Sequence, residues 1–184
     1  MTTRSSSSTV AMDAPIVFDA LTSDAEFAAA LKELSVLNFG FGAISTNPDL
    51  PIWHGVIDRQ SFSVRLAIDA LGRLTGAKFE LTSCHLNLQT HGLDGAFHLD
   101  SADPTADISH ALNWYVHPHR WPVEYGGYLL VGDDMRNLRA ILPSRNSAVL
   151  IPANIWHCAT APFLAAGAVP RISLTLKLRF KDAV

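Results

Sequence analysis

The residues best suited to chemistry are His98 and Asp100, separated by Leu99, with His157, Arg171 and Ser173 further along the chain. In an extended segment, residues two apart point to one side, so His98 and Asp100 can offer an imidazole and a carboxylate to one point in space. A third ligand has to come from elsewhere. His157 is the only histidine beyond His119, and it follows the apolar run Ala148-Val149-Leu150-Ile151, which reads as a strand able to bring it alongside. Two imidazoles and one carboxylate on one face of a metal leave the opposite positions open, as in non-haem Fe(II) centres. Arg171 and Ser173 share a strand face and can hold a carboxylate through a charge-assisted fork and a hydroxyl.

Taken singly, these residues have plainer roles. Asp100 can cap the turn Ser101-Ala102-Asp103-Pro104, His157 can be a core histidine, Arg171 an exposed strand arginine and Tyr115 a core aromatic. The order of the whole set argues otherwise. None of the six histidines outside the proposed pair is followed two residues later by an acid, and Trp156 and Cys158 face away from His157 on a strand. Downstream of His98 come Asn113-Trp114-Tyr115-Val116, Trp121, Gly126-Gly127-Tyr128-Leu129, Ile141-Leu142-Pro143 and Arg171-Ile172-Ser173.

In this order the motifs resemble the 2-oxoglutarate- and Fe(II)-dependent dioxygenases, and in detail their prolyl hydroxylase-like branch, from about Leu81 to Phe180. The resemblance implies Fe(II) on His98, Asp100 and His157, with 2-oxoglutarate and O2 as cosubstrates. It places the distal carboxylate of 2-oxoglutarate on Arg171 and Ser173, with Tyr115 donating to the same group. Asn113, on the strand face of Tyr115, is placed to bond cosubstrate or substrate, and Asn87 is a candidate of the same kind. The implied reaction hydroxylates an unactivated C–H bond and releases succinate and CO2. Halogenating relatives carry a small residue where Asp100 stands, so hydroxylation is the expected outcome.

A chain of 184 residues with 48% hydrophobic composition has room for one domain with a substantial core. A net charge of -3 offers no basic stripe, so no nucleic-acid partner is expected. Met1 to Asp13 has serines but no apolar core, and reads as a disordered tail rather than a signal or a membrane span. Two cysteines, Cys84 and Cys158, are too few for a disulfide framework, so a cytoplasmic location is expected.

The expected fold is mainly β with flanking helices (α+β). A double-stranded β-helix, or jelly-roll, core spans 78–181 and helical support spans 14–77, in a single domain over 14–184. Ser23-Asp24-Ala25-Glu26 has the form of a capping box, and Phe27, Ala30, Leu31 and Leu34 recur at helical spacing, which predicts a helix ending near Asn38-Phe39-Gly40. A strand is predicted from Phe39 to Ser45, then a turn at Thr46–Asp49. Val64, Ala67, Ile68, Leu71 and Leu74 predict a second helix from Gln60 or Ser61, closed by Gly76. Both helices are expected to pack on one outer face of the sheet that follows. Strands are predicted at Leu81–Thr90, Ala96–Leu99, Ser109–Val116, Gly127–Val131, Leu138–Ile141, Ala148–Ile151, Trp156–Thr160 and Arg171–Phe180.

Trp121 and the Gly126-Gly127 pair read as structural, and His117 and His119 as solvated loop histidines flanking Pro118. Arg120 and the loops Gln89–Phe97 and Ser101–Ile108 are expected to line the substrate entrance. The compact chain favours a small-molecule substrate such as an amino acid or a biosynthetic intermediate. A peptidyl prolyl or side-chain hydroxylase is the first alternative, and a cupin-like metal protein, using the metal without 2-oxoglutarate or binding a ligand without oxidising it, is another. A nucleic-acid demethylase is disfavoured, because Ser173 and Lys177 stand where that branch has asparagine and arginine.

Overall fold

The computed structural model of the chain describes residues 12–42, 51–103 and 107–181. The expected tail falls outside them except for Met12 and Asp13, and so does the turn expected at Thr46–Asp49. Met12 is packed rather than free: it is buried, and its carbonyl lies 3.1 Å from Nε2 of His110. Along the chain come β1 (Ile16–Phe18), α1 (Asp24–Leu34), β2 (Phe39–Gly42), β3 (Ile52–Gly55), α2 (Phe62–Thr75), β4 (Lys78–Gln89) and β5 (His110–Tyr115). They are followed by β6 (Leu129–Gly132), β7 (Arg139–Ile141), β8 (Ala148–Pro152), β9 (Trp156–Ala159) and β10 (Arg171–Lys181). No helix among the described residues is long and apolar enough to cross a membrane.

Local chemistry sets the helix ends. The Ser23 hydroxyl accepts from the Glu26 amide and the Glu26 carboxylate accepts from the Ser23 amide, a complete capping box. Helix α1 stops at Leu34, earlier than its periodicity suggests, where Ser35 bonds back to the Lys32 carbonyl. Helix α2 opens on Ser61 and closes on Gly76 at φ +70°, a left-handed cap that glycine adopts without penalty.

Among the described residues, ten strands form two antiparallel sheets. The larger runs β1-β8-β5-β10-β4-β3-β2 and the smaller β7-β6-β9. Alternation in the long strands divides the larger sheet into an apolar outer face and a polar inner one. On the outer face, Leu86, Leu112, Trp114, Leu174 and Leu176 share one core with Phe27, Val64, Ala67 and Leu71 of the helices. Between the sheets, Tyr115, Val149 and Ile151 pack with Leu129 and Val131 of β6.

The register shifts in the β10–β4 pairing between Lys177 and Leu178, so that Lys177 faces Ser83 and Leu178 faces Leu81. One extra residue in β4 reverses which face its earlier side chains meet. Phe79 and Leu81 therefore join the helix-side core, while Ser83, His85, Asn87 and Gln89 remain on the inner face.

The strand expected at Ala96–Leu99 is not one. His98 forms an isolated bridge with His157, through reciprocal backbone bonds of 3.1 and 3.0 Å, and the flanking chain stays irregular. Strands β1 and β3 lie outside the predicted strands; they are short segments that pair with β8 and β4.

Candidate metal and carboxylate site

His98, Asp100 and His157 come together as expected, with their ligand atoms all within 4.8 Å of one another. The bridge between the two histidine backbones does this. Nε2 of His98 stands 3.5 Å, and Nε2 of His157 3.7 Å, from Oδ1 of Asp100. Each imidazole is oriented by its other nitrogen: Nδ1 of His98 lies 2.9 Å from the Ala96 carbonyl and Nδ1 of His157 2.9 Å from that of Ile155. A carbonyl only accepts, so each Nδ1 carries the proton and each Nε2 presents its lone pair to the centre.

The protonation states suit a cation. Burial alone would raise the Asp100 carboxyl, but the neighbouring His98 side chain and the Lys177 ammonium outweigh it and hold the group well below the usual carboxylate range. Burial brings His157 down to about 4 against the opposing pull of Asp100, so its ring is neutral at neutral pH. Oδ2 of Asp100 is buried without a hydrogen-bond partner among the described residues. An ionised carboxylate with a free oxygen beside two inward lone pairs is a donor set that fits Fe(II) or a similar divalent ion.

Lys177 adds a charge to this site that the motif order does not mark. It reaches across from β10 to form an ion pair with Oδ1 of Asp100. Its inward face was legible in the alternation of β10, but its partner depends on how the His98 loop folds over the sheet.

A second cluster lies deeper, at the start of β10. Arg171 is 2% exposed; its Nη1 donates to Oε1 of Gln89 at 2.7 Å, its Nη2 lies 3.4 Å from the Tyr115 hydroxyl, and its guanidinium carbon sits 5.0 Å from the Tyr115 ring centroid. Ser173 is buried in register with Asn87 and Tyr115. Among the described residues, Nε of Arg171 has no hydrogen-bond partner and none of the ion pairs includes this side chain. A buried guanidinium without a counter-charge is costly, and an incoming carboxylate relieves that cost.

Between the two clusters lies a cavity of about 230 Å³, reached by the three metal-ligand candidates and by His85, Asn87, Gln89, Asn113, Thr175 and Lys177. Arg171, Ser173 and Tyr115 stand behind Gln89 rather than on the cavity wall. Asn113 and Asn87 are linked through Thr175: Nδ2 of Asn87 donates to the Thr175 hydroxyl at 3.2 Å, which donates to Oδ1 of Asn113 at 2.8 Å. Gln89, Gly95 and Ala96 of the Gln89–Phe97 loop line the cavity as expected. Arg120 does not; it borders a separate cleft with Trp121, Glu124 and Arg145.

His117 departs from expectation too. It is 1% exposed, because Val116 and His117 pair with Ile172 at the start of β10 and draw the ring under the sheet, while only His119 is left outside.

No protein-family model and no curated protein matches the sequence. Solved structures do. An oxidoreductase of the 2OG-Fe(II) oxygenase family from Burkholderia pseudomallei superposes with a TM-score of 0.67 at 15% identity, over 90% of this chain and 85% of that one. A Pseudomonas putida prolyl-4-hydroxylase gives 0.61 at 20% identity over 94% and 95%. A Trichoplax adhaerens prolyl hydroxylase, solved with a hypoxia inducible factor peptide fragment, gives 0.64 at 15% identity over 90% and 83%. The chain therefore has the fold of the 2OG-Fe(II) oxygenases and prolyl hydroxylases.

Proposed function

We propose that this chain is an Fe(II)- and 2-oxoglutarate-dependent dioxygenase of prolyl hydroxylase-like type, hydroxylating an unactivated C–H bond. One observation carries the reading: a two-histidine, one-carboxylate cluster and a buried guanidinium with no ion-pair partner among the described residues lie on the same side of a sheet with this fold. The two sheets are read as the halves of a double-stranded β-helix, with both helices on its outer face, in a single domain over 14–184.

His98, Asp100 and His157 would hold the metal, and Arg171 with Ser173 and Tyr115 would receive the distal carboxylate of 2-oxoglutarate. When bound, Fe(II) and 2-oxoglutarate supply the oxidising power: O2 and the keto acid are consumed, one oxygen atom entering succinate as CO2 leaves and the other entering the substrate as hydroxyl. The chain's own groups bind and orient. The carbonyls of Ala96 and Ile155 fix the imidazoles, and Gln89 and Tyr115 aim the guanidinium. Asn113 and Asn87, tied through Thr175, present amide groups to cosubstrate or substrate.

A small-molecule substrate is favoured by size: about 230 Å³ lies below the range of roughly 300–1,000 Å³ usual for ligand pockets, and the cosubstrate would share it. An amino acid or a biosynthetic intermediate fits this reading, as does a cytoplasmic location. A peptide substrate offering one side chain to the cavity is the second reading, favoured by the likeness to prolyl hydroxylases.

The test is anaerobic titration of the Fe(II)-loaded protein with 2-oxoglutarate, followed by visible absorption. A weak metal-to-ligand charge-transfer band, lost in His157→Ala and shifted to higher 2-oxoglutarate concentration in Arg171→Ala, is the expected result. Bound iron with no band at any concentration would overturn the reading in favour of a cupin-like metal protein.

A further inference from the structure

His117 plays no part in the chemistry proposed above, yet it is among the most deeply buried polar side chains of the chain. Its Nδ1 accepts from the amide of Ile172 at 3.2 Å, and the Ile172 carbonyl accepts from the Val116 amide at 3.0 Å. Both backbone groups of the residue following Arg171 are thus held by Val116 and His117. Because Nδ1 accepts, the ring is neutral with its proton on Nε2; the backbones of Pro143 and Pro170 lie against the ring, and Nε2 itself makes no well-formed hydrogen bond among the described residues.

The ring also belongs to a stacked column. Its plane lies 6° from that of Tyr115, at a centroid distance of 6.1 Å, and 22° from that of Trp121, at 4.3 Å. Trp121 is anchored in turn by its indole N–H on the Gly126 carbonyl at 2.9 Å. At the other end, Arg171 lies over the Tyr115 ring and contacts its hydroxyl. Gly127, at φ +67°, leaves room where a Cβ would stand 3.3 Å from Cδ of Arg171 and 3.4 Å from Trp121. The side chain of Arg171 is therefore set by the column and its backbone by the imidazole.

We propose that His117 is a positioning residue for Arg171, holding the start of β10 so that the guanidinium is already aimed when the Gln89 side chain gives way to a carboxylate. The inference rests on the dioxygenase reading, since it needs a 2-oxo diacid whose far carboxylate reaches Arg171. Burial, reinforced by the charge of Arg171, keeps the imidazole down at about 3, so its neutral acceptor state persists across the working pH range.

The test compares His117→Phe, which keeps an aromatic ring in the column but removes the acceptor, with His117→Asn, whose side-chain oxygen can again accept from Ile172. Each Mn(II)-loaded protein is titrated with 2-oxoglutarate and with 2-oxobutyrate, which has the same metal-binding end but no distal carboxylate. His117→Phe should raise the Kd for 2-oxoglutarate about tenfold, the order of one lost hydrogen bond. It should change the Kd for 2-oxobutyrate and for Mn(II) less than about twofold, and His117→Asn should recover most of the loss. An equal rise for both keto acids, or no rise for either, overturns the positioning role while leaving the dioxygenase reading intact. A native protein that binds Mn(II) but neither keto acid overturns both.

Discussion

Lys177 is ion-paired with the same Asp100 oxygen that stands 3.5 Å from His98 Nε2 and 3.7 Å from His157 Nε2. In the metal-free protein its ammonium supplies the positive charge that this carboxylate needs in a buried setting. A divalent ion on Asp100 has to take over that role, so metal and lysine compete for one oxygen.

Lys177→Met should therefore separate two properties. Without metal the variant leaves Asp100 buried and unpaired, and should lose roughly 2–4 kcal/mol of stability. With the competitor removed, its affinity for Mn(II) should rise several-fold. Chemical denaturation with and without a chelator, together with a Mn(II) titration, reads both. A lower Mn(II) affinity in the variant would show that the lysine supports the metal rather than competing with it.

Arg171→Met should greatly weaken cosubstrate binding without harming the fold. Losing the charge-assisted contact should raise the Kd for 2-oxoglutarate at least about 100-fold, while replacing a buried guanidinium that has no counter-charge should leave the thermal midpoint unchanged or higher. Isothermal titration and differential scanning calorimetry provide the measurements. A large drop in midpoint would mean that the contacts with Gln89 and Tyr115 are structural.

Stability should decline as pH falls from about 6.5 toward 4, in the metal-free protein most clearly. Burial brings His85 and His157 down to about 4 and His117 to about 3. Above the ordinary histidine value both folded and unfolded chains hold these rings neutral. Below it the unfolded chain takes up a proton on each while the folded chain does not, so unfolding gains with a slope of up to about three protons. The depressed Asp100 carboxyl opposes none of this, since its own contribution is lost only at more acidic pH. Midpoints of urea unfolding across this range give the slope, and His117→Phe should reduce it by about one proton.

Gly127→Ala should be costly in two ways. At φ +67° a Cβ is strained by about 1 kcal/mol or more, and it would press on Arg171 Cδ and on Trp121. Both the thermal midpoint and the affinity for 2-oxoglutarate should fall. Gly76→Ala, strained to a similar degree at the end of α2 but open to space, should lower the midpoint alone.

What the sequence by itself determined was local. The capping box at Ser23, the closing Gly76, the alternation of β10 and the motif order around His98, Asp100, His157 and Arg171 all depend on neighbours a few residues apart or on side-chain type. Tertiary structure decided which groups meet. The His98 segment needed no strand of its own, because two backbone bonds to His157 suffice to bring the imidazoles together. One register shift beside Lys177 sent Phe79 and Leu81 to the outer core while His85, Asn87 and Gln89 kept to the inner face. His117 reads as a loop residue beside Pro118 and is buried only because Ile172, far along the chain, comes to its Nδ1. Gln89 carries no sequence mark of its place between the cavity and Arg171. Pairings across a sheet depend on register and closure, and those are fixed by the whole packed fold rather than by any local pattern.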